Sequence, residues 1–381
     1  MVCKYRHFIA ENTAPKGARR IGVYRNGKRV GAVPLGHLTP PTTGKLYAFG
    51  LVSDMHMASY NATAQARFDG AMAYFKAQGA SFCCHCGDIS DYGLWYPISE
   101  TDGTSYYSPE QYAALQSLSA KYDMPIYGCC GNHESYNGYT ITGTYTDIYG
   151  ADPSLVVSNP QKLQEYTGNG LTFTVEHGND TFLFVGQSAG NHPMTVEQLA
   201  WLGDRLEENR NKRCFVFIHP YISAEDSGNP LGKHALPLFE YWGATNTNAF
   251  ISMMARYPNT IVFHGHSHVH FDTQEQVSHA ICSTALGFRS VHVPSTANGR
   301  RIVDGALTGK DSQYSLGYLV DVYEDGIVLN GMDFVGNKPV ALARTGSVRR
   351  RSQKNNKGGY YADISGLRPG CGPGLRVGGA A

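Results

Sequence analysis

Seven side chains able to hold a hard or borderline cation stand just beyond five apolar runs: Asp54 and His56, Asp88, Asn132, His219, and His266 with His268. Carboxylate, imidazole and amide oxygen together suit Mn²⁺, Fe or Zn²⁺ better than Ca²⁺, which takes oxygen alone. Asp54 and His56 are two apart, as are His266 and His268. In an extended segment i and i+2 project to the same side, so each pair is expected to bind together. Gly87, Gly131 and Gly265 precede ligand positions, where a missing Cβ allows sharp turns and close backbone approach. Taken singly, each residue has a bland reading. A histidine is more often a satisfied core or loop residue, Asp88 a turn residue after glycine, Asn132 a helix cap. His85, His264 and His270 fall outside the pattern and take that reading. It does not account for five such sites in order.

The runs that must position these groups are LYAFGLVS, SFCCHC, PIYGCC, CFVFI and TIVFHG. They predict strands over 45–52, 81–86, 125–130, 214–218 and 260–263. A helix is expected over 61–78, with Phe68, Ala71, Met72 and Phe75 at i, i+3, i+4, i+7 and Gly79 at its end. Two more open on capping patterns, Ser108-Pro109-Glu110-Gln111 and Thr195-Val196-Glu197-Gln198, the second carrying Leu199, Leu202 and Leu206 on one face. A fourth is expected near 246–257. Hairpins are expected through Gly178-Asn179-Asp180 and Glu324-Asp325-Gly326. Strand–helix alternation with late hairpins predicts an α/β fold, with a mixed sheet or two stacked mixed sheets flanked by helices. In such sheets ligands gather at the carboxyl ends of strands, where all five motifs lie.

Outside this block the chain changes character. Residues 1–44 read as an N-terminal extension, a hairpin around Arg25-Asn26-Gly27 followed by a Pro40-Pro41 linker. The main domain is expected over 45–342. Residues 343–381 are rich in Arg, Lys and Gly, and read as a basic, flexible, solvated tail rather than a nucleic-acid arm. The net charge of +1 gives no global pull toward nucleic acid or acidic membranes. No apolar run approaches the roughly 18 residues of a membrane span, and the first residues lack a signal-peptide pattern, so a cytoplasmic protein is expected. The odd count of nine cysteines cannot all pair within the chain. Cys83, Cys84, Cys86, Cys129 and Cys130 lie inside apolar runs without zinc spacing, and read as core packing.

The order D-x-H, GD-x-x-D, GNHE, a lone His and GHxH resembles the calcineurin-like metallophosphoesterases. Here these are Asp54-Met55-His56, Gly87-Asp88-Ile89-Ser90-Asp91, Gly131-Asn132-His133-Glu134, His219 and Gly265-His266-Ser267-His268. The resemblance covers residues 46–335 and implies two stacked mixed sheets flanked by helices. It also implies that Asp54, His56, Asp88 and His268 hold one metal, and that Asp88 bridges to a second held by Asn132, His219 and His266. His133 would stand beside the phosphate as acid or electrostatic partner. Val216-Phe217-Ile218-His219 matches the VxxH of purple acid phosphatases. Their tyrosine ligand, however, would fall at Asp91, and their first motif lacks a counterpart of His56. The set is thus closer to the cyclic-nucleotide phosphodiesterase-like branch, and no tyrosinate-coloured centre is expected.

The expected activity is hydrolysis of a phosphomono- or phosphodiester by metal-bridged hydroxide, with two divalent or trivalent ions (Mn, Fe or Zn) about 3.5–4 Å apart. Asp91 and Glu134 are candidates to orient a ligand or His133 from behind, or else turn-region acceptors. The partner expected is a small phosphorylated substrate, with nucleotides among the candidates and no membrane. Tyr96, Tyr136, Tyr139 and Tyr221 are read as loop anchors, with stacking on a base or sugar as the alternative. The competing class is an inert protein that keeps the fold for binding or structure. Against it, every ligand position is filled.

Overall fold

The computed structural model describes residues 20–25, 28–34, 43–57, 62–89, 108–135, 170–186, 194–222, 238–271, 282–283, 288–303, 306–309 and 313–346. An antiparallel hairpin comes first, β1 (Arg20–Arg25) with β2 (Lys28–Pro34), and Ile21 faces Val33 as the Asn-Gly dipeptide between them predicts. The main block opens with β3 (Lys45–Val52), α1 (Ala62–Ala77), β4 (Cys83–His85), α2 (Ser108–Tyr122), β5 (Ile126–Gly128) and the single turn α3 (Asn132–Ser135). Then come β6 (Thr172–His177), β7 (Asp180–Val185), α4 (Val196–Glu208), β8 (Arg213–Phe217), α5 (Leu238–Met254) and β9 (Thr260–His264). Short strands β10 (Cys282–Ser283), β11 (Arg289–His292), β12 (Ile302–Val303) and β13 (Ala306–Leu307) lead to β14 (Leu316–Tyr323), β15 (Gly326–Asp333) and β16 (Lys338–Gly346).

Two six-stranded mixed sheets result, in the orders β16-β15-β14-β3-β4-β5 and β10-β11-β9-β8-β7-β6. In the first, β3, β4 and β5 run parallel. In the second, β7, β8, β9 and β11 do. The expected fold class is therefore what forms. Phe49, Phe182, Phe215, Phe217, Phe263, Tyr318 and Val320 belong to one buried cluster drawn from both sheets, so the sheets pack face to face. Alternate residues point outward. Ala48 and Val52 meet Phe68, Ala71, Met72 and Phe75 of α1, while Leu183, Val185 and Val216 meet Leu202 and Leu206 of α4 and Phe250 of α5. Strands covered on both faces read as unbroken apolar runs, which is why their sequences show no polar alternation.

Local expectations mostly hold. Thr195 Oγ1 accepts from the Gln198 amide at 3.2 Å, and Gln198 Oε1 accepts from the Thr195 amide at 3.0 Å, the capping box expected at α4. Cys83, Cys84, Cys86, Cys129, Cys130 and Cys214 are buried and not paired in disulfides, and burial pushes the thiols of Cys83, Cys84, Cys86, Cys129 and Cys214 up. Two elements differ. The helix expected near 246–257 is α5, Leu238–Met254, because Gly243 and the Thr245–Asn248 run are weak helix formers that the fold overrides. Nothing in the sequence marked β16, which extends to Gly346; as an edge strand it tolerates Pro339, the residue that hid it. No helix among the described residues is long and apolar enough to cross a membrane.

At the strand starts, away from the motifs, one polar clamp ties the sheets. The Tyr47 hydroxyl on β3 donates to Asp180 Oδ2 on β7 at 2.5 Å. Arg213 on β8 donates to both Asp180 oxygens, at 3.1 and 2.6 Å, and to the Tyr323 carbonyl at 2.7 Å. Arg213→Ala would strand a carboxylate that is 4% exposed. A loss of about 3–5 kcal/mol in thermal or denaturant unfolding is expected, with metal content per folded molecule unchanged. Unfolding at the wild-type midpoint would show that the clamp contributes nothing.

Candidate metal centre

Each candidate ligand leaves the end of a strand: Asp54 and His56 follow β3, Asp88 follows β4, Asn132 follows β5, His219 follows β8, and His266 and His268 follow β9. The structure brings them together in two groups that share one residue. Donor atoms of Asp54, His56, Asp88 and His268 lie within 4.8 Å of one another, as do those of Asp88, His219 and His266. Asn132 joins the second group, its Oδ1 2.9 Å from His219 Nε2. All seven are buried.

The pairs do not converge by the route that spacing suggested. Asp54, His56, Asp88, His266 and His268 have φ of 51°, 44°, 53°, 69° and 61°. They are left-handed, not extended, so tight turns rather than strand alternation aim both i, i+2 pairs. For non-glycine residues this costs roughly 1–2 kcal/mol each. Backbone bonds between neighbouring loops offset it: the amides of Asp54 and His56 donate to the carbonyls of Gly87 and Asp88, both at 3.0 Å. The His266 amide donates to Asp54 Oδ2 at 3.0 Å. Close approach needs the expected glycines. A Cβ on Gly131 would collide with the Asp88 carboxylate, and one on Gly265 with the Ser53 hydroxyl.

The hydrogen-bond partners fix how the rings face. His219 Nδ1–H donates to the Cys86 carbonyl at 2.6 Å, and His268 Nδ1–H to the Asn298 carbonyl at 3.0 Å. A carbonyl only accepts, so in each neutral ring the lone pair is left on Nε2. His219 Nε2 then faces Asn132 Oδ1, His266 Nδ1 at 3.1 Å and Asp88 Oδ2 at 3.2 Å. His268 Nε2 faces Asp54 Oδ1 and His56 Nε2, each at 3.1 Å. Lone pairs this close repel unless a proton or cation lies among them. The donor set therefore fits two cations, one per group.

Electrostatics point the same way. Burial alone would raise Asp54 and Asp88. His268 beside the first, and His219 and His133 beside the second, hold them below the usual carboxylate range. Burial would lower His219, but the Asp88 charge and hydrogen bond push it up to about 9. Burial and the charge of His219 hold His266 well down.

Around the ligands, Glu134 Oε2 accepts from the amides of Asp88 at 2.9 Å and Gly131 at 2.6 Å, so its carboxylate ties two motif loops together. His133 sits at the edge, its side chain 21% exposed, with Nε2 3.9 Å from Asp88 Oδ2 and its ring edge-on to His56. Asp91 lies outside the described residues, as do Tyr96, Tyr136 and Tyr139. Tyr221 is 1% exposed and edge-on to His264 and His292, so it is an anchor and not a stacking platform. Sequence reasoning missed Ser267, His292, Ser295 and Asn298. Ser267 Oγ lies 2.6 Å from His292 Nε2, and Asn298 acts through its carbonyl, which no side-chain pattern announces.

A family model described as calcineurin-like phosphoesterase matches residues 47–270. Among solved structures the chain is similar to a dimetal phosphatase from Danio rerio, with a TM-score of 0.50 and 13% identity over 80% of this chain and 100% of that one. It is similar to a purple acid phosphatase from yellow lupin, Lupinus luteus, with a TM-score of 0.48 and 12% identity over 81% of this chain and 55% of that one. A third is GAP50 of Plasmodium, an anchor in the inner membrane complex, with a TM-score of 0.49 and 11% identity over 81% of this chain and 91% of that one. No curated protein sequence matches.

With no cation bound, His219 keeps its Nε2 proton up to about pH 9. A cation at the second group must displace that proton, so affinity for Mn²⁺ is expected to climb through the neutral range and level off above about 9, with about one proton released. Calorimetric titration in buffers of different ionisation enthalpy measures this. An affinity flat with pH, without proton release, would contradict the arrangement around His219.

Proposed function

The chain belongs to the calcineurin-like phosphoesterase family, and on that premise we propose that it is a metal-dependent hydrolase of phosphate esters, acting on a phosphomonoester or a phosphodiester. One observation carries the reading: seven side chains from five strand ends meet in two overlapping groups that share the buried Asp88. Such esters resist attack because their oxygens repel an incoming nucleophile and the leaving oxygen is poor. Two cations such as Mn²⁺, Fe or Zn²⁺ would neutralise the phosphoryl charge and bring the pKa of water to about 7.

The side chains do the rest. Asp54, His56, Asp88 and His268 would hold one ion, and Asp88, Asn132, His219 and His266 the other. The carbonyls of Cys86 and Asn298 keep the lone pairs of His219 and His268 turned inward. Glu134 fixes the backbone under Asp88. His133, the partly exposed imidazole at the rim, would give a proton to the leaving oxygen or stabilise its charge.

Mn²⁺-dependent hydrolysis of bis-p-nitrophenyl phosphate or p-nitrophenyl phosphate tests the proposal. Silence on both at saturating Mn²⁺ would remove it and leave an inert member of the family. Asp88→Ala is expected to abolish metal loading and turnover together, because one carboxylate serves both ions. His133→Ala should retain both ions by elemental analysis yet lose about 10²–10⁴-fold in kcat. A fall in metal content there would make His133 a ligand instead.

A further inference from the structure

Behind Asp54 and His268 lies a buried turn, residues 295–298, that none of the motifs includes. Ser295 is fully buried and its Oγ makes three bonds. It donates to the Asp54 carbonyl at 2.8 Å, and accepts from the amides of Asn298 at 2.8 Å and Ala297 at 3.2 Å. One hydroxyl thus grips the backbone of the first ligand and closes the turn whose last carbonyl, that of Asn298, receives His268 Nδ1–H. The turn is itself anchored. Ser295 pairs with Ser53 in a parallel bridge, the Thr296 amide donates to the Ser53 carbonyl at 3.0 Å, and Thr296 Oγ1 reaches the Ser53 and Leu316 carbonyls. From α1, the Arg67 guanidinium donates to the Ala297 carbonyl.

We propose that Ser295 is a positioning residue that acts on one of the two cation groups, through the backbone of Asp54 and the ring orientation of His268. The proposal rests on the dinuclear reading above and deepens it. Asp54 and His56 are left-handed, and such a backbone persists only where its surroundings over-determine it. The Ser295 hydroxyl supplies such a hold at the Asp54 carbonyl. The second group is built differently. His219 is oriented by the Cys86 carbonyl and the Asp88 amide is held by Glu134, so the 295–298 turn reaches this group indirectly, through the Asp54 carboxylate that accepts from the His266 amide. The effect is therefore expected to fall most heavily on the ion of Asp54 and His268.

Paired backgrounds read the two groups separately. In Asn132→Ala, which disables the second group, adding Ser295→Ala is expected to weaken Mn²⁺ binding by about 10–100-fold in calorimetric titration. In His56→Ala, which disables the first, the same addition should leave Mn²⁺ affinity within about twofold, since partners behind one ligand set tune that set. Equal losses in both backgrounds, or none in either, would overturn the proposal. Arg67→Met loosens the turn from its other side and should show the same one-sided loss. It decides the question if Ser295→Ala fails to give a cooperative thermal melt. Wild-type chain that binds no Mn²⁺ at all would instead overturn the dinuclear reading beneath.

Discussion

The Asp88 carboxylate is 1% exposed and has three imidazoles around it, with His219 at 3.2 Å, His133 at 3.9 Å and His56 at 4.0 Å. Burying a carboxylate among groups whose lone pairs also point inward is unfavourable unless positive charge lies between them. That demand organises everything nearby. It explains why His219 is pushed up to about 9, since a proton is the nearest substitute for a cation. It also explains the spread of ligands. Asp54, His56, Asp88 and Asn132 leave the first sheet, and His219, His266 and His268 leave the second, so neither sheet holds a complete set.

The centre therefore depends on how far apart the two sheets sit, and that distance belongs to the aromatic layer between them. Phe49 stacks on Phe82 at 5.5 Å between ring centroids and meets Phe182 edge-on at 5.3 Å, while Phe217 stacks on Phe184 at 4.5 Å. Rings in such contact leave little slack, because interiors are packed at crystal-like density. At the strand starts the Asp180 clamp fixes the same spacing with polar bonds. The opposite ends are left to carry strained, ligand-bearing loops. Conformational cost and packing gain are thus segregated along the same strands.

Much of this was legible in the sequence because the informative features were side-chain properties. Apolar runs such as CFVFI marked strands covered on both faces, and the glycine–ligand junctions marked their carboxyl ends. The seven candidate ligands could be named because carboxylate, imidazole and amide types in that order have few other uses. What stayed hidden was conformational. Spacing cannot distinguish an extended i, i+2 pair from one set by left-handed turns, and the observed φ of 44° at His56 and 61° at His268 falls on the second side. Edge strand β16 was hidden by Pro339, and α5 by helix-poor residues whose cost the fold absorbs. Glu134 was found through its motif, whereas Ser295 looks like any serine in a turn.

The deepest reason for that asymmetry is that the rings are aimed by peptide groups. Cys86 contributes its carbonyl to His219 from the end of β4, so a bond from the first sheet orients a ligand of the second. Asn298 does the same for His268 from the 295–298 turn. Any residue at those two positions presents a carbonyl, so their identities carry no trace of the role. Only the path of the backbone matters, and that path is set by sheet register and by the few side chains, such as Ser295 and Arg67, that bond to it. A centre built this way keeps its chemistry in a handful of ligands and its geometry in the fold, which is compatible with a shared fold at 13% identity to a dimetal phosphatase.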